Sequence, residues 1–143
     1  MKTQKVILVL AISLGILSTS CNNDSDNNNN GNNTLPLEGK WNATKVGTIV
    51  AGQEILIDPP QNEDGCQKDY LEFYADNSVT AGDYDSSDSP CVLQTATGTY
   101  TKSGNTLTTV IDGTNRTETI LNLTDTQLKL KDESGAIAVF TKA

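Results

Sequence analysis

The sequence predicts an all-β domain that closes into a small antiparallel up-and-down barrel of about eight strands. Short stretches rich in Val, Ile and Thr alternate with Gly, Asn, Asp and Ser at intervals of about eight to twelve residues, which is the spacing of a barrel or a sandwich. No segment of useful length has the period of an amphipathic helix. A β-sandwich is the alternative that this pattern leaves open.

The amino-terminal segment combines a basic start with a short apolar stretch. Lys2 and Lys5 precede residues 6–17, which are apolar but too few to span a bilayer as a stable helix. The small residues 18–20 then run into Cys21, and this arrangement resembles the lipobox at which lipoprotein signal peptidase cuts. The resemblance implies that residues 1–20 are a signal peptide and that Cys21 carries acyl chains, such as palmitate, that anchor the protein to a membrane.

A polar tract follows the lipid-bearing cysteine. Residues 22–34 contain no apolar side chain, so residues 21–34 are predicted to form a flexible linker ahead of a folded domain at residues 35–143. Asp24 and Asp26 resemble the acidic signals that send lipoproteins of Bacteroidetes to the cell surface. We therefore expect an outer-membrane lipoprotein of the bacterial cell envelope, and the sequence leaves open whether its domain faces the cell surface or the periplasm.

Nine stretches of the domain are predicted to be strands. Leu71 and Phe73 flank Glu72, and Leu128 and Leu130 alternate with lysines, so one face of these strands is buried and the other is solvated. The predicted strands are residues 40–46, 48–57, 70–74, 78–81, 96–101, 106–111, 116–123, 127–131 and 136–142.

Turn residues separate the later strands closely enough for sequential hairpins. Residues 103–105 (SGN), 112–115 (DGTN) and 134–135 (SG) all tolerate positive φ. Residues 136–140 (AIAVF) are apolar on both faces, so we expect something to cover this strand or expect it to close the sheet against the first strand. Closure into a barrel removes exposed sheet edges.

Short motifs along the domain resemble a known family. The opening Gly39-Lys40-Trp41 resembles the G-x-W signature of lipocalins, and the whole domain is similar to the small lipocalin-like domain of Bacteroidetes lipoproteins. The resemblance implies an eight-stranded antiparallel barrel. The other matching residues are Cys66, Leu71-Glu72-Phe73, Asp76-Asn77, Cys91, Gly98-Thr99-Tyr100, Gly104-Asn105, residues 120–124 and Val139-Phe140.

The domain departs from classical lipocalins in two respects. No arginine follows Arg116 to pack on Trp41, and no carboxy-terminal helix is predicted after the barrel. The domain is also short, and a small eight-stranded barrel can be filled by its own side chains. The sequence leaves open whether the interior is hollow.

Cys66 and Cys91 are predicted to form a disulfide. They are the only cysteines after Cys21, and export places them in an oxidising compartment. Two free buried thiols are the alternative. A catalytic cysteine is disfavoured because the chain contains no histidine to serve as its base.

Three aromatic residues are candidates for contact with a ligand. Trp41, Phe73 and Tyr100 could line a pocket, since aromatic side chains offer large apolar surfaces. A tryptophan at the start of a barrel can equally plug the closed end as part of the core. The sequence favours the core role for Trp41.

Composition argues against several classes of function. The net charge of -8 repels phosphate backbones, so no nucleic-acid partner is expected. The absence of histidine disfavours zinc chemistry, and no catalytic motif, metal site or cofactor is predicted. Residues 82–89 hold Asp83, Asp85 and Asp88 but lack the mid-loop glycine and the terminal glutamate of an EF-hand, so they are predicted to form a solvated acidic loop.

The first functional hypothesis is a non-enzymatic, lipid-anchored binding protein of the envelope. The resemblance implies a barrel that holds a small hydrophobic or amphipathic ligand, or a glycan. The alternative is a non-catalytic structural or interaction subunit of a cell-envelope complex, whose protein partners the sequence does not name. An exposed apolar patch would favour the alternative.

Overall fold

The structure is a computed structural model that describes residues 36–62, 64–85, 87 and 90–143. Most of these residues belong to strands. Within these residues no helix is long and apolar enough to cross a membrane. The nine strands are β1 (Gly39–Val50), β2 (Gln53–Ile57), β3 (Tyr70–Phe73), β4 (Ser78–Asp85), β5 (Val92–Ser103), β6 (Thr106–Ile111), β7 (Thr114–Leu123), β8 (Gln127–Asp132) and β9 (Ala136–Lys142).

Eight of these strands close into an antiparallel barrel. From β3 to β9 each strand pairs with the next, and β1 completes the ring by pairing with β3 on one edge and β9 on the other. The last strand therefore meets the first, as its apolar sequence predicts. The predicted up-and-down barrel is confirmed, and the alternative prediction of a β-sandwich is wrong.

The first hairpin differs most from the strands expected from the sequence. A break is predicted at Gly47, but β1 runs through it and turns at Ala51 and Gly52, with φ values of 50° and 81°. Gly47 serves a different purpose, because a Cβ atom there would lie 1.9 Å from the carbonyl oxygen of Ile55 in β2. The glycine permits a close approach of two backbones and does not end a strand.

The ninth strand, β2, lies across the outside of the barrel. Among the described strands it pairs only with β1, yet Oε2 of Glu54 is 2.7 Å from Nζ of Lys129 on β8, two strands beyond β1 in the sheet order. Ile137 and Val139 of β9 lie on the outer face of the barrel, opposite to the face from which Phe140 enters the core, and yet both are buried. The crossing hairpin covers the outer face of β9, which explains why that strand is apolar on both faces.

Large side chains fill one end of the barrel, which we call the closed end. Trp41 is fully buried there, and its Nε1 donates a hydrogen bond of 2.7 Å to the carbonyl oxygen of Leu37. Nζ of Lys142 lies 4.3 Å from the centre of the Trp41 ring, so a lysine provides the cation–π contact for which the sequence offers no arginine. The core residues are Leu37, Trp41, Ala43, Phe73, Val79, Tyr100, Leu107, Ile120, Leu128, Leu130 and Phe140.

Candidate functional site

A cavity of about 630 Å³ occupies the end of the barrel away from Trp41. This volume lies within the range of about 300 to 1,000 Å³ that is usual for small-molecule sites. Strands β1, β3, β4, β6, β7 and β9 contribute to its lining, together with Gln61 and Asp69 of the segment between β2 and β3. The name segment 58–69 refers to the described residues of this stretch, 58–62 and 64–69. We call this end of the barrel the open end.

The floor of the cavity is apolar and continuous with the core. Ala43 and Phe140 belong both to the core and to the lining, and Leu71, Ile111 and Ala138 pack against the core from above. At the open end the inward-facing residues include Ala43, Ala81 and Ala138, whereas the closed end holds aromatic side chains. Because alanine leaves this space unfilled, the interior is hollow at the open end.

One wall of the cavity carries ionisable and polar groups. In β7, Arg116 pairs with Thr109 and Glu118 pairs with Leu107. Leu107 lies in the core and Thr109 is 4% exposed, so the register directs Arg116 and Glu118 inward. The wall therefore combines a guanidinium, a carboxylate and a hydroxyl above an apolar floor.

The two charged groups of this wall form no ion pair among the described residues. In the described part of the chain, the ion pairs are Lys45–Asp58 and Lys129–Glu54, and neither Arg116 nor Glu118 takes part in one. Burial raises the pKa of Glu118, with the charge of Arg116 opposing the shift and that of Asp132 adding to it.

A gap in the barrel wall separates the upper halves of β1 and β4. There β1 pairs with β2, which leaves the ring, and the end of β4 beyond Gly82 has no partner on the side of β1 among the described strands. Two residues of the connection between β2 and β3, Asn62 and Asp69, bind at this gap. Nδ2 of Asn62 donates to the carbonyl oxygen of Ala43 at 2.8 Å, and the amide of Asp69 donates to Oδ1 of Asn62 at 3.0 Å.

Asp69 joins the two sides of the gap. Its carbonyl oxygen accepts from the amide of Ala43 at 2.8 Å, and its carboxylate accepts from the amide of Tyr84 in β4 at 2.8 Å. Burial raises the pKa of Asp69, the hydrogen bond from Tyr84 opposes the shift, and neighbouring Asp83 adds to it. Asp69 thus links β1 to β4 where the two strands do not pair, with its carbonyl oxygen on β1 and its carboxylate on β4.

A disulfide fastens the same segment to the β4–β5 hairpin. Cys66 and Cys91 are bonded, with Cα atoms 5.7 Å apart, as the sequence predicts. Tyr84 adds a second link, since its hydroxyl is 3.0 Å from Oε1 of Gln67. The insert between β2 and β3 is thus held against β4 and forms part of the cavity wall.

The three aromatic candidates lie below the cavity and do not line it. The rings of Phe73 and Tyr100 meet edge to face with centroids 5.0 Å apart, and the Tyr100 hydroxyl donates to the carbonyl oxygen of Tyr74 at 3.0 Å. Together with Trp41 they are buried in the closed end. Their positions match the core role that the sequence favours for Trp41.

The acidic stretch after Ala81 is organised differently from the loop expected. Asp83 and Asp85 belong to β4, and Asp83 lines the cavity, so the prediction of a solvated loop over residues 82–89 is wrong for its first half. Strand pairing with β5 extends this hairpin beyond the length that local sequence indicates. Among the described residues no group of three or more acidic or cysteine side chains is placed to hold a metal ion.

The lipidation site and its linker lie outside the described residues. The signal peptide at residues 1–20, the lipid on Cys21 and the linker at residues 21–34 therefore remain predictions from the sequence. The same holds for Asp88.

Sequence reasoning missed the residues that form the polar wall. Arg116, Glu118 and Ile120 alternate with threonines in β7, and Ile120 is buried. Because Arg116 and Glu118 share a face of β7 with the buried Ile120, the sequence pattern did indicate that both charged side chains point inward. Thr109 offered the same signal, because it shares a face of β6 with Leu107 and Ile111. Asp69 offered none, because its environment comes from distant parts of the chain.

Comparison with known proteins agrees with this architecture. Residues 37–130 match the family model described as a lipocalin-like domain. No curated protein matches the chain.

Two solved structures from Bacteroides share the fold. A lipocalin-like protein from Bacteroides uniformis ATCC 8492 is 18% identical, with a TM-score of 0.57 over 75% of this chain and 98% of that one. An uncharacterized protein from Bacteroides eggerthii DSM 20697 is 17% identical, with a TM-score of 0.56 over 76% of this chain and 100% of that one.

Proposed function

The chain belongs to the lipocalin-like domain family, and on that premise we propose that it is a non-enzymatic binding protein that holds a small amphipathic molecule in the open end of its barrel. The observation that carries the proposal is the cavity of about 630 Å³, with an apolar floor and a polar wall. Such a combination suits a ligand with an apolar body and one polar end. A fully packed interior would have argued against it.

We further propose that the protein works at the bacterial envelope, anchored through the lipid on Cys21. The basic start, the short apolar stretch and the small residues before Cys21 support this address. Several acyl chains at about 0.8 kcal/mol for each buried methylene would make the anchor stable. The ligand would then be taken up at or near a membrane surface.

The binding proposal is tested on the full chain carrying Cys21→Ser, so that no attached lipid competes for the cavity. We expect N-phenyl-1-naphthylamine, a neutral apolar fluorophore, to bind with increased emission. Ala138→Phe places a ring in the cavity and is expected to reduce binding at least about tenfold, because it fills the space the probe requires. Ala143→Phe adds the same ring at the exposed chain end, which pairs with Lys40 near the closed end, and should bind as the parent does.

Thermal unfolding of each variant accompanies these titrations, and Ala138→Leu replaces the phenylalanine variant if that variant does not fold. Absence of probe binding to the parent chain would overturn the proposal. Equal binding by the parent and a folded Ala138 variant would show that the probe binds elsewhere. Native mass spectrometry of protein from a bacterial host would identify any ligand retained through purification.

The anchor is tested by growing the expressing bacterium with an alkyne-tagged palmitate. We expect the full chain to take up the label and Cys21→Ser to lose it. Cys66→Ser removes a different cysteine and should stay labelled, which controls for reaction at other thiols. Label on the Cys21→Ser chain would overturn the anchor assignment.

A second candidate function is favoured by exposed apolar side chains on the β1–β2 hairpin. Ile49, Val50, Ile55 and Ile57 are each at least 42% exposed, although large aliphatic side chains are usually buried. We propose that this hairpin is the contact surface if the protein acts as an interaction subunit of an envelope complex. A photo-crosslinking residue at Ile55 should then give one defined adduct in intact cells, and the same residue at exposed Thr101 should not.

A further inference from the structure

We propose that the cavity selects an amphipathic cation, a molecule whose apolar body rests on the floor and whose protonated amine binds to Glu118 and the hydroxyl of Thr109. The inference rests on the proposed function and adds the chemical class of the ligand. Its basis is the geometry of the β6–β7 wall and the charge balance of the lining.

Thr109 provides the first observation. It is 96% buried and faces the cavity from β6. Among the described residues no buried side-chain nitrogen or oxygen is left without a partner, so the contribution of Thr109 is its place in the lining, where a hydroxyl oxygen can accept a hydrogen bond from a ligand.

Glu118 provides the second observation. It is the diagonal neighbour of Thr109 across the β6–β7 pair, since Thr109 lies opposite Arg116. Diagonal neighbours are about 7 to 8 Å apart at Cα, which the long glutamate side chain can span to meet a common ligand atom. A protonated amine carries up to three donors and no acceptor, so it can donate to the carboxylate and to the hydroxyl oxygen together.

The charge of the lining provides the third observation. Four carboxyl groups among the described lining residues, those of Asp69, Asp83, Asp112 and Glu118, face one guanidinium, that of Arg116. Arg116 is an exposed residue, so its guanidinium can remain hydrated, and both Arg116 and Glu118 also border the outer rim of the cavity. Burial raises the pKa of Glu118 although the charge of Arg116 opposes the shift, so the protein compensates the charged form of Glu118 only in part, and a ligand cation would add to that compensation. A fatty-acid anion would instead meet an excess of negative charge.

The test ranks three ligands that share a twelve-carbon chain: dodecylamine, dodecanol and dodecanoate. Each competes with N-phenyl-1-naphthylamine for the full chain carrying Cys21→Ser, below its micellar concentration and at pH 7. We expect dodecylamine to displace the probe at a concentration about 10- to 100-fold lower than dodecanoate, as a charged hydrogen bond implies. Glu118→Gln should remove most of this preference and leave dodecanol unchanged.

Glu38→Gln makes the same change of charge at an exposed residue just before β1, outside both the cavity lining and its outer rim, and should leave the ranking intact. Failure of the probe to bind would overturn the proposed function itself. Probe binding with equal competition by the three ligands, or with dodecanoate the strongest, would overturn only the present inference. The ranking on the parent chain decides even if Glu118→Gln does not fold.

Discussion

Removal of the Cys66–Cys91 disulfide should cost this domain a large part of its stability. The bond closes a loop with a sequence separation of 25 residues, for which the chain-entropy model gives about 3.5 kcal/mol at 25 °C. The loss arises chiefly in the unfolded chain, because Asn62 and Asp69 still hold segment 58–69 in the folded state. Domains of this size are stable by only about 5 to 15 kcal/mol, so the change is a substantial fraction.

The assay is urea unfolding of the double variant Cys66→Ser, Cys91→Ser beside the parent, followed by the fluorescence of Trp41. With a slope of about 1.5 kcal/mol per molar urea, the midpoint should fall by about 2.3 M. The melting temperature should fall by about 14 to 28 °C. Reduction of the parent with dithiothreitol should reproduce the variant, and the reductant should leave the variant itself unaffected.

A difference below about 1 kcal/mol would refute the entropic reasoning for this protein. It would mean that the unfolded chain already holds the two cysteines near each other, or that the bonded fold carries an opposing cost. A large loss confined to the folded state would appear differently, as faster hydrogen exchange at the β4–β5 hairpin of the variant.

Two further predictions concern the carboxylates of the site. Asp69→Ala should destabilise the domain by about 1 to 3 kcal/mol and speed amide exchange at Tyr84, because it removes the acceptor of that amide. Asp69→Asn keeps an acceptor oxygen and should have smaller effects on both stability and exchange. Similar results for the two variants would contradict the bridge. The folded-state pKa of Glu118 lies above its ordinary value of 4.5, despite Arg116 and with the help of Asp132, so its stabilising contribution is complete below pH 4.5 and is lost as the pH rises through the raised value. The free energy of unfolding of the parent minus that of Glu118→Gln should fall over that range, and a flat difference would contradict the shift.

Most of the sheet could be predicted because its signals are local. The strands after residue 105 match prediction closely, since alternating side chains and glycine turns determine them over a few residues. The first hairpin could not be predicted, because Gly47 has the same sequence appearance whether it ends a strand or admits the backbone of Ile55. The hydrogen-bond partner that distinguishes these cases lies elsewhere in the chain.

The candidate site was less predictable than the fold. Aromatic residues were the obvious candidates for contact with a ligand, but the side chains of Trp41, Phe73 and Tyr100 pack in the core and fill the closed end. The cavity arises instead from small residues, such as Ala81 and Ala138, whose absence of bulk carries no signal in a single sequence.

The sequence by itself determined the strand content, the barrel closure, the pairing of Cys66 with Cys91 and the family, because turn chemistry, periodicity and short motifs are properties of neighbouring residues. Only the tertiary structure decided where the barrel is hollow, that the barrel wall between β1 and β4 is bridged by Asp69, and that Glu118 shares a wall with Thr109. Each of these depends on strand register and on which distant side chains leave space unfilled. Ligand selection belongs to this second group, since the charge a ligand meets is set by the residues that the closed barrel brings together.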